Sequence, residues 1–173
     1  MLALLVLCAL AGEDGHPVVS VTRVHAGSTW SLADGVLSRD SEPVAQGVIG
    51  APAFGGRAVA VARVVEEPVG TELVVFEQGK ARVLVGLEAR PDRVSLTPDG
   101  AFAAYVSGRT GLASVWIVDL RDGATRQLTN VGVRPAKGSA PAGFVPPPLD
   151  PPRFEGSLLV WESPTGAQQV SWR

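Results

Sequence analysis

Short apolar or alternating runs recur along the chain, each closed off by glycine, proline or aspartate, and no stretch sustains a helical apolar period. Such runs predict strands. They fall at residues 18–24, 29–32, 36–38, 58–64, 72–76, 81–85, 93–96, 102–107, 114–119, 125–128, 157–162 and 168–172, and are dense in β-branched and aromatic residues. The joints carry turn chemistry: Ala33-Asp34-Gly35, Phe54-Gly55-Gly56, Gln78-Gly79-Lys80, Pro98-Asp99-Gly100, Asp122-Gly123 and Pro164-Thr165-Gly166. Many short strands with closely spaced turns predict an all-β fold.

An internal repeat sharpens that expectation. GRAVAVAR at 56–63 and GAFAAYVS at 100–107 are offset by 44 residues, and Gly79 and Gly123 by the same 44; LVVF at 73–76 and VWIV at 115–118 are offset by 42. A third, partial copy starts at Phe154, with SLLVWES in place of AFAAYVS. A period of about 40–45 residues with about four strands per unit is the signature of propeller blades. Each blade is a small sheet with two apolar faces, so neighbours must stack to bury them. The inner strands are expected at 58–62 and 102–106, where Ala60, Ala62, Ala103 and Ala104 allow close packing. Residues 12–173 hold under four such units, so the prediction is a partial or small propeller of about three to four blades. An open blade would leave an edge and an apolar face bare, which points to a homo-oligomer that completes or covers the blades.

The amino terminus reads LALLVLCALA over residues 2–11. That is too short for a membrane span, which needs about 20 residues, but fits the apolar core of a secretory signal, with Ala9-Leu10-Ala11 as the cleavage motif. Residues 1–11 are therefore expected to be a signal peptide, although no Lys or Arg precedes the run; a buried first strand or helix is the alternative. Leu7 is a poor neighbour for lipidation of Cys8. Cleavage would leave a mature chain without cysteine, held by packing alone.

Composition then narrows the chemistry. The chain is 46% hydrophobic and 18% charged, with Gly 20 and Pro 14, and carries 15 Lys and Arg against 17 Asp and Glu for a net charge of −2. Nucleic-acid binding would want a basic excess. One Cys and two His, His16 and His25, supply too few ligands for a metal site, so neither metal nor cofactor is expected. No G-x-S-x-G elbow, calcium loop or phosphate loop occurs. Glu66-Glu67 reads as solvated loop charge, and Asp119 and Asp122 as turn residues. No catalytic residues are expected, and the chain is not read as an enzyme.

Residues 94–130, VSLTPDGAFAAYVSGRTGLASVWIVDLRDGATRQLTN, resemble a TolB-type (WD-like) β-propeller repeat. The matching positions are Pro98, Asp99 and Gly100, then Ser107, Arg109 and Gly111, then Trp116, Asp119, Gly123, Leu128 and Thr129. Thr97 replaces the usual Ser, and Gly108 and Ser114 stand where many repeats carry Asp. The resemblance implies a propeller, commonly periplasmic or secreted, that binds other envelope proteins, and it implies no reaction. The domain expectation is a signal over 1–11, TolB-like repeats over 12–133, a Pro-rich linker or strap over 134–152, and a partial further repeat over 153–173. Phe144 and Leu149 are the expected anchors of the strap. Trp116 and Trp161 are expected in blade cores, while Trp30 and Trp172 are expected on an interaction face. Arg109, Trp116, Trp30 and Phe144 are the candidate binding residues. The function expected is a non-catalytic protein-binding scaffold of the cell envelope. The alternative is the non-catalytic propeller region of a larger envelope hydrolase.

Overall fold

The computed structural model describes residues 6–11, 17–66, 70–86, 92–134, 138 and 140–173. Among these residues there are strands and turns and no helix, so none is long and apolar enough to cross a membrane. The strands form four antiparallel meanders, each following chain order. The first sheet holds β1 (Val6–Ala11), β2 (Pro17–His25), β3 (Ser28–Ala33), β4 (Val36–Arg39) and β5 (Glu42–Ala45). The second holds β6 (Val48–Gly55), β7 (Ala58–Val65), β8 (Gly70–Glu77) and β9 (Lys80–Val85). The third holds β10 (Asp92–Leu96), β11 (Phe102–Ser107), β12 (Ser114–Asp119) and β13 (Thr125–Gln127); the fourth holds β14 (Arg153–Glu155), β15 (Leu158–Ser163) and β16 (Gly166–Ser171).

The sheets stack face to face, and the two-residue period of a strand decides which neighbour each side chain meets. In β7 and β8, paired Val59↔Phe76 and Val61↔Val74, the side chains of Val59, Val61, Val74 and Phe76 pack with Trp30, Leu32 and Leu37 of the first sheet. The alternate residues Ala58, Ala60, Ala62, Leu73 and Val75 pack with Ala103, Tyr105, Trp116 and Val118 of the third sheet. The other face of the third sheet, Ala104, Val115 and Ile117, meets Leu159, Trp161 and Trp172 of the fourth. This explains the near-continuous apolar runs: β7, β8, β11 and β12 are buried on both faces. Alanines on one side of β7 let the second and third sheets approach closely.

The seam between those two sheets closes at backbone level. The Gly56 amide donates to the Pro98 carbonyl at 2.8 Å. A Cβ on Gly55 would collide with the Thr97 carbonyl, and one on Gly100 would lie 2.5 Å from the Gly55 carbonyl oxygen. The Pro98-Asp99-Gly100 turn is itself built around Thr97, whose Oγ1 accepts from the Ala101 and Phe102 amides at 3.1 and 3.0 Å. Asp99 Oδ1 accepts from Ala101 as well, at 3.0 Å.

Besides β1, which falls in the apolar run at 2–11 and pairs with β2, three strands lie outside the predicted runs. β5 contains Pro43 on the outer edge of the first sheet, where the missing amide costs no ladder bond. β6, read as loop and turn, contains Pro52 at a register irregularity between Ile49 and Ala53. β14 is three residues long. The outward side of the first sheet carries Thr22, Thr29, Ser31 and Ser38 together with exposed Val24, opposite the buried Trp30, Leu32 and Leu37. The outward side of the fourth carries Arg153, Glu155, Glu162 and Gln169 around half-buried Leu158 and Val160. Both outward faces are thus mixed, with apolar side chains set among polar ones.

Candidate binding surface

Hairpins of a meander alternate ends, so the turns β2–β3, β4–β5, β6–β7, β8–β9, β10–β11 and β12–β13 gather at one end of the stack. Several are tight because their central residues take positive φ: Ala26 and Gly27 at 49° and 82°, Gln78 and Gly79 at 50° and 78°. Between them two grooves open. The first, about 550 Å³, lies between the first and second sheets and is lined by His25, Ser28, Trp30, Arg39, Arg57 and Phe76 among others. The second, about 920 Å³, lies between the second and third sheets and includes Glu77, Lys80, Arg82, Asp99, Asp119 and Arg121.

Charge separates the two grooves. In the second, Arg121 pairs with Asp119 and Asp122 at 3.4 and 4.0 Å, and Arg82 donates to the Arg121 carbonyl at 3.2 Å. Its two arginines are answered by carboxylates and a carbonyl, and Lys80 shares the lining with Glu77, Asp99 and Asp119. Among the described residues, no carboxylate lines the first groove. Arg39 Nε donates to Ser28 Oγ at 2.8 Å and its guanidinium lies 5.8 Å from the Trp30 ring. Asp40 stands 3.6 Å from Arg39, but its Oδ1 accepts from the Thr29 amide at 2.8 Å; that backbone bond and Ser28 hold its carboxyl below the usual range. Arg57 is exposed on the β6–β7 turn and makes no ion pair or hydrogen bond among the described residues. Trp30 and Phe76 form the floor, with ring centroids 5.8 Å apart.

His25 closes one wall. Burial and the nearby Arg23 charge push its pKa below 6.5, against a hydrogen bond to the Ala58 backbone that raises it. Its Nε2 is buried without a partner, and its ring meets Phe54 edge-on at 5.2 Å. His25 is thus half-buried in the wall of the groove; His16 lies outside the described residues, as does Glu67. Asp119 and Asp122 act as expected in their turn, accepting from the amides of Arg121 and Ala124 at 2.8 and 2.9 Å.

The structure disperses the four candidate residues. Arg109 and Trp116 come together near the opposite end: the guanidinium stacks 3.5 Å from the Trp116 ring and donates to Thr125 Oγ1 at 2.9 Å. Trp116 is 6% exposed in the core between second and third sheets, where its Nε1 and the hydroxyl of its cross-strand neighbour Tyr105 have no partner. Burial pushes the Tyr105 pKa up to about 12. Arg109 thus ties its loop to its own sheet. Trp30 and Trp172, expected to be exposed, are buried at 6% and 7%: each is on a sheet face that a neighbouring sheet covers, and Trp30 still reaches the first groove from below.

The Pro-rich segment docks on the chain that carries it. Asn130 anchors it, donating from Nδ2 to the Ala113 and Val145 carbonyls at 3.0 Å each and accepting from the Val145 amide at 2.7 Å. The Trp161 indole donates to the Pro146 carbonyl at 3.2 Å, and Leu149 pairs with the Glu162 carbonyl at 3.0 Å. Pro148 and Pro152 are fully buried, and Val145 packs on the core. The expected anchors are corrected: Leu149 is 55% exposed, and half-buried Phe144 only closes a turn onto Pro141. Arg39, Arg57 and His25 were not flagged by sequence, although an arginine directly after a turn glycine is a legible sign for Arg57.

No protein-family model matches the chain, and no curated protein matches it in sequence. Solved structures do. TolB of Agrobacterium tumefaciens superposes with a TM-score of 0.52 at 16% identity, over 87% of this chain and 51% of that one. TolB from Acinetobacter baumannii gives 0.45 at 16% identity over 94% and 59%, and a nidogen/laminin complex gives 0.49 at 16% identity over 96% and 59%. This chain therefore spans about half the length of the structures it resembles. Stacked antiparallel meanders of three to five strands in chain order, repeated at the spacing of the sequence motif and superposing on TolB, give this chain the fold of a TolB-type β-propeller segment.

Proposed function

We propose that this chain is a non-catalytic, exported propeller module that binds another protein through the hairpin-turn end of its blades. The observation that carries this reading is the pair of open grooves between adjacent sheets at that end, framed by rigid turns on a fully packed scaffold. Preformed concave surfaces on rigid elements bind at low ordering cost. The outward faces of the first and last sheets are mixed in character and hold no groove of this kind, so the turn end is the docking face in this reading.

Export is supported by the apolar run at 2–11 and by strand counting. The first sheet has one strand more than the second and third, and removal of β1 leaves four, β2–β5, matching them. Likeness to TolB supports the envelope as the location. Mass spectrometry of the exported protein is expected to find an amino terminus near Gly12; intact Met1 in the cytoplasm overturns export. For binding, a photo-crosslinking residue is placed at Arg57 or Gln78 on the turn end and at Ser38 on the outward face of the first sheet. Discrete adducts from the first two and none from Ser38 are expected. Equal adducts from all three, or none, refute the docking end.

A further inference from the structure

Resting on the turn end as the docking face, we infer that the first groove receives an acidic peptide segment in which a carboxylate neighbours an aromatic side chain. Three features converge. The groove has two arginines and no carboxylate in its lining, in a protein of net charge −2. Arg57 is unpaired and exposed at the rim, whereas Arg39 is fixed by Ser28 and lies beside the Trp30 ring, reaching from the first sheet toward the β8–β9 turn, where a Cβ on Gly79 would lie 3.3 Å from its Nη1. The floor is the tilted Trp30–Phe76 pair. A guanidinium that is already oriented loses little freedom on meeting a carboxylate, and a fork of N–H donors matches carboxylate geometry. Aromatic rings beneath it favour another ring by edge or offset contact.

Competing occupants fit less well. The second groove sets Glu77, Asp99 and Asp119 among its cations and so disfavours an acidic ligand. A bare aliphatic peptide would leave Arg57 unused. Among the described residues, Asp40 Oδ2 and Ser28 Oγ both approach Arg39 at Nε, at 3.6 and 2.8 Å, so the Nη nitrogens are the donors a ligand carboxylate would meet.

The test uses the mature protein and two short blocked peptides, one with a Phe-Glu core and its Phe-Gln counterpart, titrated by calorimetry at low salt. Binding of the Phe-Glu peptide with a Kd of about 1 mM or tighter is expected, at least about tenfold stronger than the Phe-Gln peptide, and weakening as salt rises. Arg57→Gln is expected to reduce Phe-Glu affinity about tenfold with unchanged thermal melting, because Arg57 supports nothing else in the fold; Arg121→Gln, in the second groove, leaves affinity unchanged. Equal affinity for the two peptides, no binding of either, or an inert Arg57→Gln overturns the inference. Displacement by inorganic phosphate at the peptide's own concentration also overturns it, by revealing an indiscriminate anion site. Turn-end crosslinks in the absence of peptide binding would sink this inference alone and leave the docking face standing.

Discussion

Gly100→Ala asks how much the fold depends on the seam between the second and third sheets. Gly100 has φ +75°, a conformation that costs an L-residue about 1–2 kcal/mol. The new methyl would also sit 2.5 Å from the Gly55 carbonyl oxygen, with the Gly56 Cα at 3.3 Å. Both neighbours are backbone, so the turns must part, and the Gly56–Pro98 hydrogen bond across the same contact is strained with them. Loss of that bond adds about 0.5–1.5 kcal/mol, for a total of about 1.5–3.5 kcal/mol. At roughly 2–4 °C per kcal/mol for a chain of this size, the melting temperature falls by about 3–14 °C. Gly123→Ala is the control. Its φ is +77°, yet nothing lies within 4 Å of its Cβ, so it carries the conformational cost alone. Thermal melts followed by circular dichroism compare the two. Equal losses would mean that the second and third sheets do not meet at this seam.

Other expectations concern the turn, the strap and a half-buried acid. Thr97→Ser keeps the hydroxyl that accepts from Ala101 and Phe102 and is expected to be nearly neutral, while Thr97→Val orphans the Phe102 amide, leaves Ala101 to Asp99 alone, and costs about 1–3 kcal/mol in denaturant titration. Asn130→Ala removes two strap contacts, both to Val145, and the tie to Ala113; faster amide hydrogen exchange at Val145 and Leu149 is expected, and unchanged exchange would show that the strap is held without Asn130. Asp92 has its pKa raised above 3.8 by burial, against a smaller lowering by Arg93. Its contribution is therefore fully present below pH 3.8 and lost as pH rises through the raised folded value. Asp92→Asn is expected to melt higher than the parent at pH 7 and no higher at pH 3; a variant that is less stable at pH 7 would show that the Arg93 pairing wins.

The architecture was legible because burial on two faces writes continuous apolar runs, and because β11–β13 reuse the spacing of β7–β9. β5 and β6 stayed hidden for the opposite reason: as edge strands they tolerate Pro43 and Pro52, which read as breakers. Trp30 and Trp172 misled because a strand's alternation fixes that two faces differ, not which neighbour covers each face. The groove was illegible for a related cause. Arg39, Arg57 and His25 belong to three different strands or turns in two sheets, and only the stacking of the first sheet on the second brings them to one wall. Arg109 and Trp116, close in the repeat motif, do meet, but their stacking serves the loop.

The alternation of faces in β7 is the point on which the account turns, and it is open to direct measurement. Nuclear Overhauser contacts in methyl-labelled protein should connect the alanine methyls of Ala58, Ala60 and Ala62 to Ala103 and Tyr105 of the third sheet, and the methyls of Val59 and Val61 to Leu32 and Leu37 of the first. Both sets reporting the same sheet, or neither reaching any other sheet, would contradict the stacked-blade structure and the groove built on it.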